Sequence, residues 1–380
     1  MKIVRTKTLD AARFMERLGV DHPGVAIMAK KSELLFFIVK DLHVGAANIL
    51  KQDALSIGAD FAVPSGVIVC AKERVDGLLM GTRKQMELLS RKEMAQPFGL
   101  KSLAKELKRY LKNDLSYSLK IMGIINANED SFYPGSRFMG ERAIEAIEKM
   151  IADGADIIDI GGMSTRPGSE EISEEEELER IKPIVDLVYE KKLHEKVVFS
   201  IDTYRPKVAA YALERGFSIL NDITALENDE CAKIAASYDA TVVLMHKKGD
   251  PKTMQVNPYY EDAVAEVSAF FEERIERALG FGIERIVLDP GIGFGKRLED
   301  NLALLRDLVE FKKFGYEILV GASRKSMIDK IHPSDVSERL GGTLAVHLHA
   351  VHNGASIIRC HDVFEHKQAF LVDSAIRGYL

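Results

Sequence analysis

The sequence predicts an α/β fold: a (β/α)₈ TIM barrel preceded by a small α/β domain. Two observations carry this expectation. First, 380 residues accommodate one barrel of ~250 residues plus a smaller unit. Second, from about Ser118 onward eight short apolar runs recur, each entered from a helical stretch and left through a polar residue. That rhythm describes parallel strands covered on both faces, and eight units without a switch point favour closure over an open sheet.

The first domain is expected over 1–115. ARFMERLG and AANILKQDALSIG have helical periodicity, whereas VAIMA (25–29) and LLFFIVK (34–40) read as strands around a Lys-Lys-Ser turn. FAVPSGVIVCA and VDGLLMG add strand-like pieces, and KSLAKELKRYLKND closes the domain as an amphipathic helix. A ferredoxin-like arrangement would accommodate these elements, and the segment contains no chemical motif. Lys112, Asn113 and Asp114 mark the linker.

The barrel is expected over 116–380. Its strands are SLKIMGIIN (118–126), ADIIDIGG (155–162), KVVFSID, FSILND, ATVVLMH, RIVLDPG, EILVGAS and ASIIRCH. The Glu-rich stretch 170–179 suits the first turns of a helix, where carboxylates favour the dipole and solvent. His347, His349 and His352 do not all share one helix face, which favours packed or solvated histidines over a metal site.

Composition narrows the function. A formal net charge of -6 argues against a nucleic-acid partner, and no apolar run approaches the ~20 residues of a membrane span. The first residues lack the apolar core of a signal peptide. Cys70, Cys231 and Cys360 stand far apart, with no paired spacing. These features suggest a cytoplasmic, reduced chain.

Barrel enzymes work at the C-terminal ends of their strands. Here these ends carry Asn126, Gly161 to Gly168, Asp202, Asn221-Asp222, Met245-His246, Asp289, Ser323 to Ser326 and Arg359 to Asp362. Asp202, Asn221 and Asp289 offer acceptors and an amide to a donor-rich heterocycle edge. Met245 and Phe294 could cover its flat faces, and Arg359, His361 and Lys325 supply positive charge for an anion such as phosphate. Either Asp202 or Asp222, taken alone, would more often be a helix cap. DPGIGFGK fails as a phosphate loop because Pro290 and Arg297 stand where Gly and Ser or Thr are required.

The same segments resemble dihydropteroate synthase, in that family's order. MGIINANEDSF (122–132), DIGGMSTRPGS (159–169), SIDT, LND, LMHKKGDPKTMQ, LDPGIGFGK, VGASRKS and IIRCHDV carry the resemblance. It implies that Asp202, Asn221, Asp289 and Lys325 bind a pterin, with Ile223, Met245 and Phe294 around it and Arg359 packed on it. It implies that Asn126, Arg359 and His361 hold a diphosphate, with Mg²⁺ at Asn126. Thr165, Arg166, Pro167 and Ser326 would face p-aminobenzoate, and Asp202, Lys325, Arg359 and His361 would serve catalysis. The implied assembly is a homodimer acting on small molecules. Asn128 and Glu129 replace the family's Thr and Pro, and Met163 replaces a Glu, so loop details transfer less firmly. A methyltetrahydrofolate-dependent methyltransferase would share the pterin grip but not require STRPG, SRKS or the Arg359/His361 corner.

Overall fold

A computed structural model describes residues 3, 10–127, 136–163, 172–249, 254 and 257–377. The chain divides into two compact units: Met1–Asp114 with Asp373–Leu380, and Leu115–Val372.

The first unit runs α1 (Ala11–Arg17), α2 (His22–Ala29), β1 (Leu34–His43), α3 (Val44–Ser56), β2 (Asp60–Ala62), β3 (Arg74–Thr82), α4 (Arg83–Lys92) and α5 (Leu100–Asn113). Residues 25–29, expected as a strand, form the body of α2. Asp21 caps this helix by accepting from Gly24 N at 3.2 Å, and Pro23 occupies its first turn. These start signals outweigh a short apolar run. FAVPSGVIVCA contributes only β2 and a 3₁₀ turn at Val67–Val69, because Pro64 and Gly66, at φ 86°, interrupt the extended backbone.

Helix α4, which the sequence reading did not separate, begins in a capping box. Gln85 Oε1 accepts from Thr82 N at 2.7 Å, and Thr82 Oγ1 accepts from Gln85 N at 3.4 Å. Helix α5 buries Leu100, Ala104, Leu107 and Leu111 along one face, as its amphipathic pattern predicted. The strands pair antiparallel in the order β1-β3-β2. Among the described residues the sheet has these three strands, with helices α3, α4 and α5 supplying buried residues to the same core.

The second unit runs β4 (Lys120–Asn126), α6 (Ser136–Ala152), β5 (Ile157–Gly161), α7 (Glu174–Glu190), β6 (Val198–Asp202), α8 (Pro206–Glu214), β7 (Ile219–Asp222), α9 (Asp229–Ser237) and β8 (Thr241–Met245). It continues α10 (Ala263–Gly280), β9 (Ile286–Asp289), α11 (Leu298–Arg306), β10 (Glu317–Val320), α12 (Ser326–Ile331), α13 (Leu340–His352), β11 (Ile357–Cys360) and the part of α14 (Val363–Arg377) up to Val372. All eight strands are parallel and close in the order β10-β11-β4-β5-β6-β7-β8-β9. The Glu-rich stretch opens α7: Ser173 caps it, and Glu174 to Glu177 fill its first turn. Glu177 departs from a solvated face: it is buried, with Oε2 3.1 Å from Arg205 Nε.

Two apolar layers position the site. Outside the strands, one large core joins their outer faces to the helices. Inside, Met122, Ile157, Ile219, Val243, Val287, Leu319 and Ile357 form a plug. Side chains alternate along a strand, so the residue two places after each plug residue also points inward, one level nearer the C-terminal mouth. That level holds Asp159, Asn221, Met245, Asp289 and Arg359.

Candidate active site at the barrel mouth

The plug forces the inward level above it to carry the site, and the strand register sets which groups adjoin. Asp202 pairs with Asn221 across β6 and β7, and Met245 with Asp289 across β8 and β9. At the centre, Arg359 Nε donates to Asp159 Oδ2 at 2.6 Å, and Nη2 donates to Asp202 Oδ2 at 2.7 Å. Asn221 Nδ2 donates to the same Asp159 oxygen at 3.1 Å. Residues distant in sequence therefore share one network of charge-assisted hydrogen bonds.

Burial sets the electrostatics. Desolvation raises the Asp202 carboxyl to about 7; Arg359 opposes that rise, whereas Asp159, Glu177 and Asp222 add to it. Burial also raises Asp289 above the usual carboxylate range, against the pull of Lys325. It lowers the Lys325 ammonium to about 8, although Asp289 favours its charge. Arg359 feels the same desolvation, but Asp159 and Asp202 outweigh it and hold the guanidinium charged.

The rim is built from the loops after β9, β10 and β11. Lys325 Nζ donates to Ile292 O and lies 4.6 Å from the Phe294 ring centroid. His361 N donates to Ser323 Oγ at 3.3 Å, while Ser323 Oγ and His361 Nδ1 are 2.9 Å apart. The backbone and ring of His361 thus both engage one hydroxyl, which fixes the imidazole at the rim. Arg324, at φ 55°, forms a two-pronged ion pair with Asp362 at 3.0 and 2.8 Å. Ser326 is exposed at the start of α12, and Ile223 is buried just after β7. Asn126 ends β4 half-buried. Thr165, Arg166 and Pro167 lie outside the described residues.

Several polar residues at the strand ends serve the scaffold. Asp222 points outward and accepts from Thr224 N, Thr224 Oγ1 and Leu226 N at 2.7, 2.7 and 2.9 Å, a loop cap. His246 is also turned away: its Nδ1 lies 2.9 Å from Lys296 Nζ. His347 is buried; its Nε2 accepts from Ala322 N at 3.0 Å, and its Nδ1 lies 2.7 Å from His366 Nε2. His349 and His352 are exposed, so the three do not converge.

Two residues escaped the sequence reading. Asp159 sits mid-strand in β5, away from the strand ends that mark a barrel mouth. Its signal was a carboxylate at the inward spacing from Ile157 in an otherwise apolar run. Lys296 ends the DPGIGFGK segment, whose failure as a phosphate loop leaves the lysine without a local signal. It is 1% exposed, and its Nζ donates to the carbonyls of Gly291, Phe294 and His246 at 2.9, 3.1 and 3.3 Å.

A family model for pterin binding enzymes matches residues 122–361. The bifunctional dihydropteroate synthase/dihydropteroate reductase of Helicobacter pylori is 41% identical over 365 residues, covering 96% of each chain. The dihydropteroate synthase of Escherichia coli K12 is 44% identical over 267 residues, 69% of this chain and 93% of that one. Among solved structures, Yersinia pestis dihydropteroate synthase with a sulfonamide drug superposes with a TM-score of 0.65 at 39% identity, over 69% of this chain and 95% of that one. The matched residues, the closed barrel and the polar ring at its mouth agree: this chain belongs to the pterin binding enzymes and, among them, to the dihydropteroate synthases.

Proposed function

We propose that the chain condenses 6-hydroxymethyl-7,8-dihydropterin diphosphate with p-aminobenzoate, giving 7,8-dihydropteroate and diphosphate. The observation that carries this reading is the inward ring of Asp202, Asn221, Met245, Asp289 and Arg359 above one apolar plug. Asp202, Asn221 and Asp289 receive the ring's donor edge, with Lys325 beside them and Met245, Ile223 and Phe294 around the ring. Arg359, His361 and the amide of Asn126 take the diphosphate. Thr165, Arg166, Pro167 and Ser326 form the p-aminobenzoate side.

The amine nitrogen attacks the methylene carbon as the carbon–oxygen bond to diphosphate breaks. The electron pair leaves with the diphosphate, and the amine proton passes to it or to water. Positive groups stabilise the departing anion while the buried carboxylates stabilise cationic character on the ring. Among the described residues no group of three His, Cys, Asp or Glu could hold a metal ion. Asn126 suits only a Mg²⁺ that arrives with the diphosphate, as magnesium bound mainly through substrate phosphates does. Such an ion would neutralise charge on the leaving group.

Protonation gives the first prediction. A carboxyl near 7 is largely neutral at pH 5 and cannot accept two ring donors without losing its proton. Because its pKa is raised in the free site, binding improves as pH rises through 7 and then levels. Pterin affinity should fall up to ~tenfold per pH unit below that point. Calorimetric titration between pH 5 and 8 measures this; a flat profile would remove Asp202 from the ring contact.

A second reading concerns the first unit. The Helicobacter pylori relative matches across both units and bears a reductase name, whereas the Escherichia coli synthase matches only the barrel portion. We read the first unit as the seat of a dihydropteroate reduction, and the whole chain as a cytoplasmic homodimer. The separated free cysteines support a reducing compartment. Full-length protein and a Leu115–Leu380 truncation should both release diphosphate, faster with Mg²⁺ than without. Only the full chain should reduce dihydropteroate when given a reduced nicotinamide as hydride donor. A folded truncation without synthase activity would place part of the site in the first unit, and equal reductase activity in both would defeat the second reading. Light scattering on both proteins reads the dimer.

A further inference from the structure

We propose that Asp159 is a positioning residue for the synthase reaction, orienting both Arg359 toward the leaving group and Asn221 toward the pterin. The proposal rests on the ligand roles given above to Arg359 and Asn221. Asp159 is fully buried, so nothing in solvent shares its charge. Its Oδ2 accepts from Arg359 Nε at 2.6 Å and from Asn221 Nδ2 at 3.1 Å, whereas its buried Oδ1 has no hydrogen-bond partner among the described residues.

The geometry has two consequences. Arg359 has two carboxylate partners, of which Asp202 is the one claimed by the incoming ring. When ring donors engage Asp202, Asp159 remains as the fixed counter-charge and keeps the guanidinium from swinging away. Asn221 spends one amide hydrogen on Asp159, which fixes the amide plane and directs its oxygen elsewhere. An asparagine so anchored presents an acceptor of settled orientation and discriminates for a ring donor at that position. One carboxylate thus sets the leaving-group corner and one edge of the heterocycle together, as a supporting shell does for a preorganised site.

Replacing the carboxylate by an amide tests this with little change in volume. In Asp159→Asn, kcat/KM for pterin diphosphate should fall ~100-fold while the KM for p-aminobenzoate stays within about twofold. The acid limb of pterin binding should also move to lower pH. Asp202 faces Arg359, Asp159, Glu177, Asp222 and Lys325, and the substitution removes one repulsive neighbour while leaving Arg359 to Asp202 alone. A residue that only stabilised the fold would lower the melting temperature without moving that limb or separating the two substrates. Those results, or unfolded Asp159→Asn and Asp159→Ser proteins, overturn the proposal. Arg359→Met run in parallel separates the two ideas. Near-normal turnover in that variant removes the role of Arg359 itself, whereas collapse there with an unaffected Asp159→Asn removes only the role of Asp159.

Discussion

Replacing Arg359 by methionine is expected to reduce kcat by ~10²–10³ and to weaken diphosphate far more than the free hydroxymethyl pterin. The side chain donates to Asp159 and Asp202 at 2.6 and 2.7 Å within the barrel, so the substitution removes the cation and strands two buried carboxylates. Breaking a buried pair in this way costs ~3–5 kcal/mol of stability, because an uncompensated charge remains. Protonation limits the loss: Asp202 already lies near 7 with Arg359 present, and it rises further once that cation is gone. A group whose folded pKa is raised adds stability at low pH and loses it as pH climbs through that value. The melting gap between parent and variant should therefore be smaller at pH 5.5 than at pH 8.5. Thermal scans at the two pH values, with competition by diphosphate and by hydroxymethyl pterin, supply the measurement. Equal weakening of both ligands would assign Arg359 to the ring alone.

Replacing Lys296 by methionine is expected to damage both stability and pterin binding, although the lysine does not face the barrel mouth. Its ammonium, lowered by burial to about 7, donates to three carbonyls and lies against His246 Nδ1. Those carbonyls belong to the loop after β9 and to the end of β8, so one side chain stitches the two together. The loop backbone has little room to adjust. A Cβ on Gly291, at φ 65°, would lie 1.9 Å from His246 O, and one on Gly295, at φ 61°, 2.0 Å from Lys248 O. Removing the donor leaves buried acceptors unpaired at ~1–3 kcal/mol each, before any relaxation. With relaxation leaving a net loss of ~2–3 kcal/mol, and ~2–4 °C per kcal/mol for a domain near the barrel's size, the melting temperature should fall by roughly 5–10 °C. Because the loop carries Phe294 and starts just after Asp289, the KM for pterin diphosphate should rise at least ~tenfold, more than kcat falls. An unchanged KM in a variant that melts early would show that the loop holds its shape without the stitch.

How much of this the sequence discloses depends on whether the signal is local. The barrel was legible because each strand is an apolar run ending in a polar residue, a pattern written over five to nine neighbours. Asp202, Asn221, Asp289 and Arg359 were legible for the same reason, since strand ends mark the mouth of any such barrel. Helix α2 was misread because its apolar body suits either structure, and only Asp21 and Pro23 at its start decide the matter. Asp222 and His246 were ambiguous because consecutive residues on a strand face opposite sides, and which side is inward depends on the packing of the whole sheet.

The sequence by itself determined the fold class, the place of the mouth and the chemical types gathered there. Tertiary structure alone decided which partners these residues take. Barrel closure sets β11 beside β4 and brings Arg359 to Asp159 and Asp202, although 200 and 157 residues separate them in the chain. It also turned a discarded lysine into the stitch beneath the site. Hydrogen bonds act over about 3 Å and are indifferent to sequence distance, so no local pattern could have announced either arrangement.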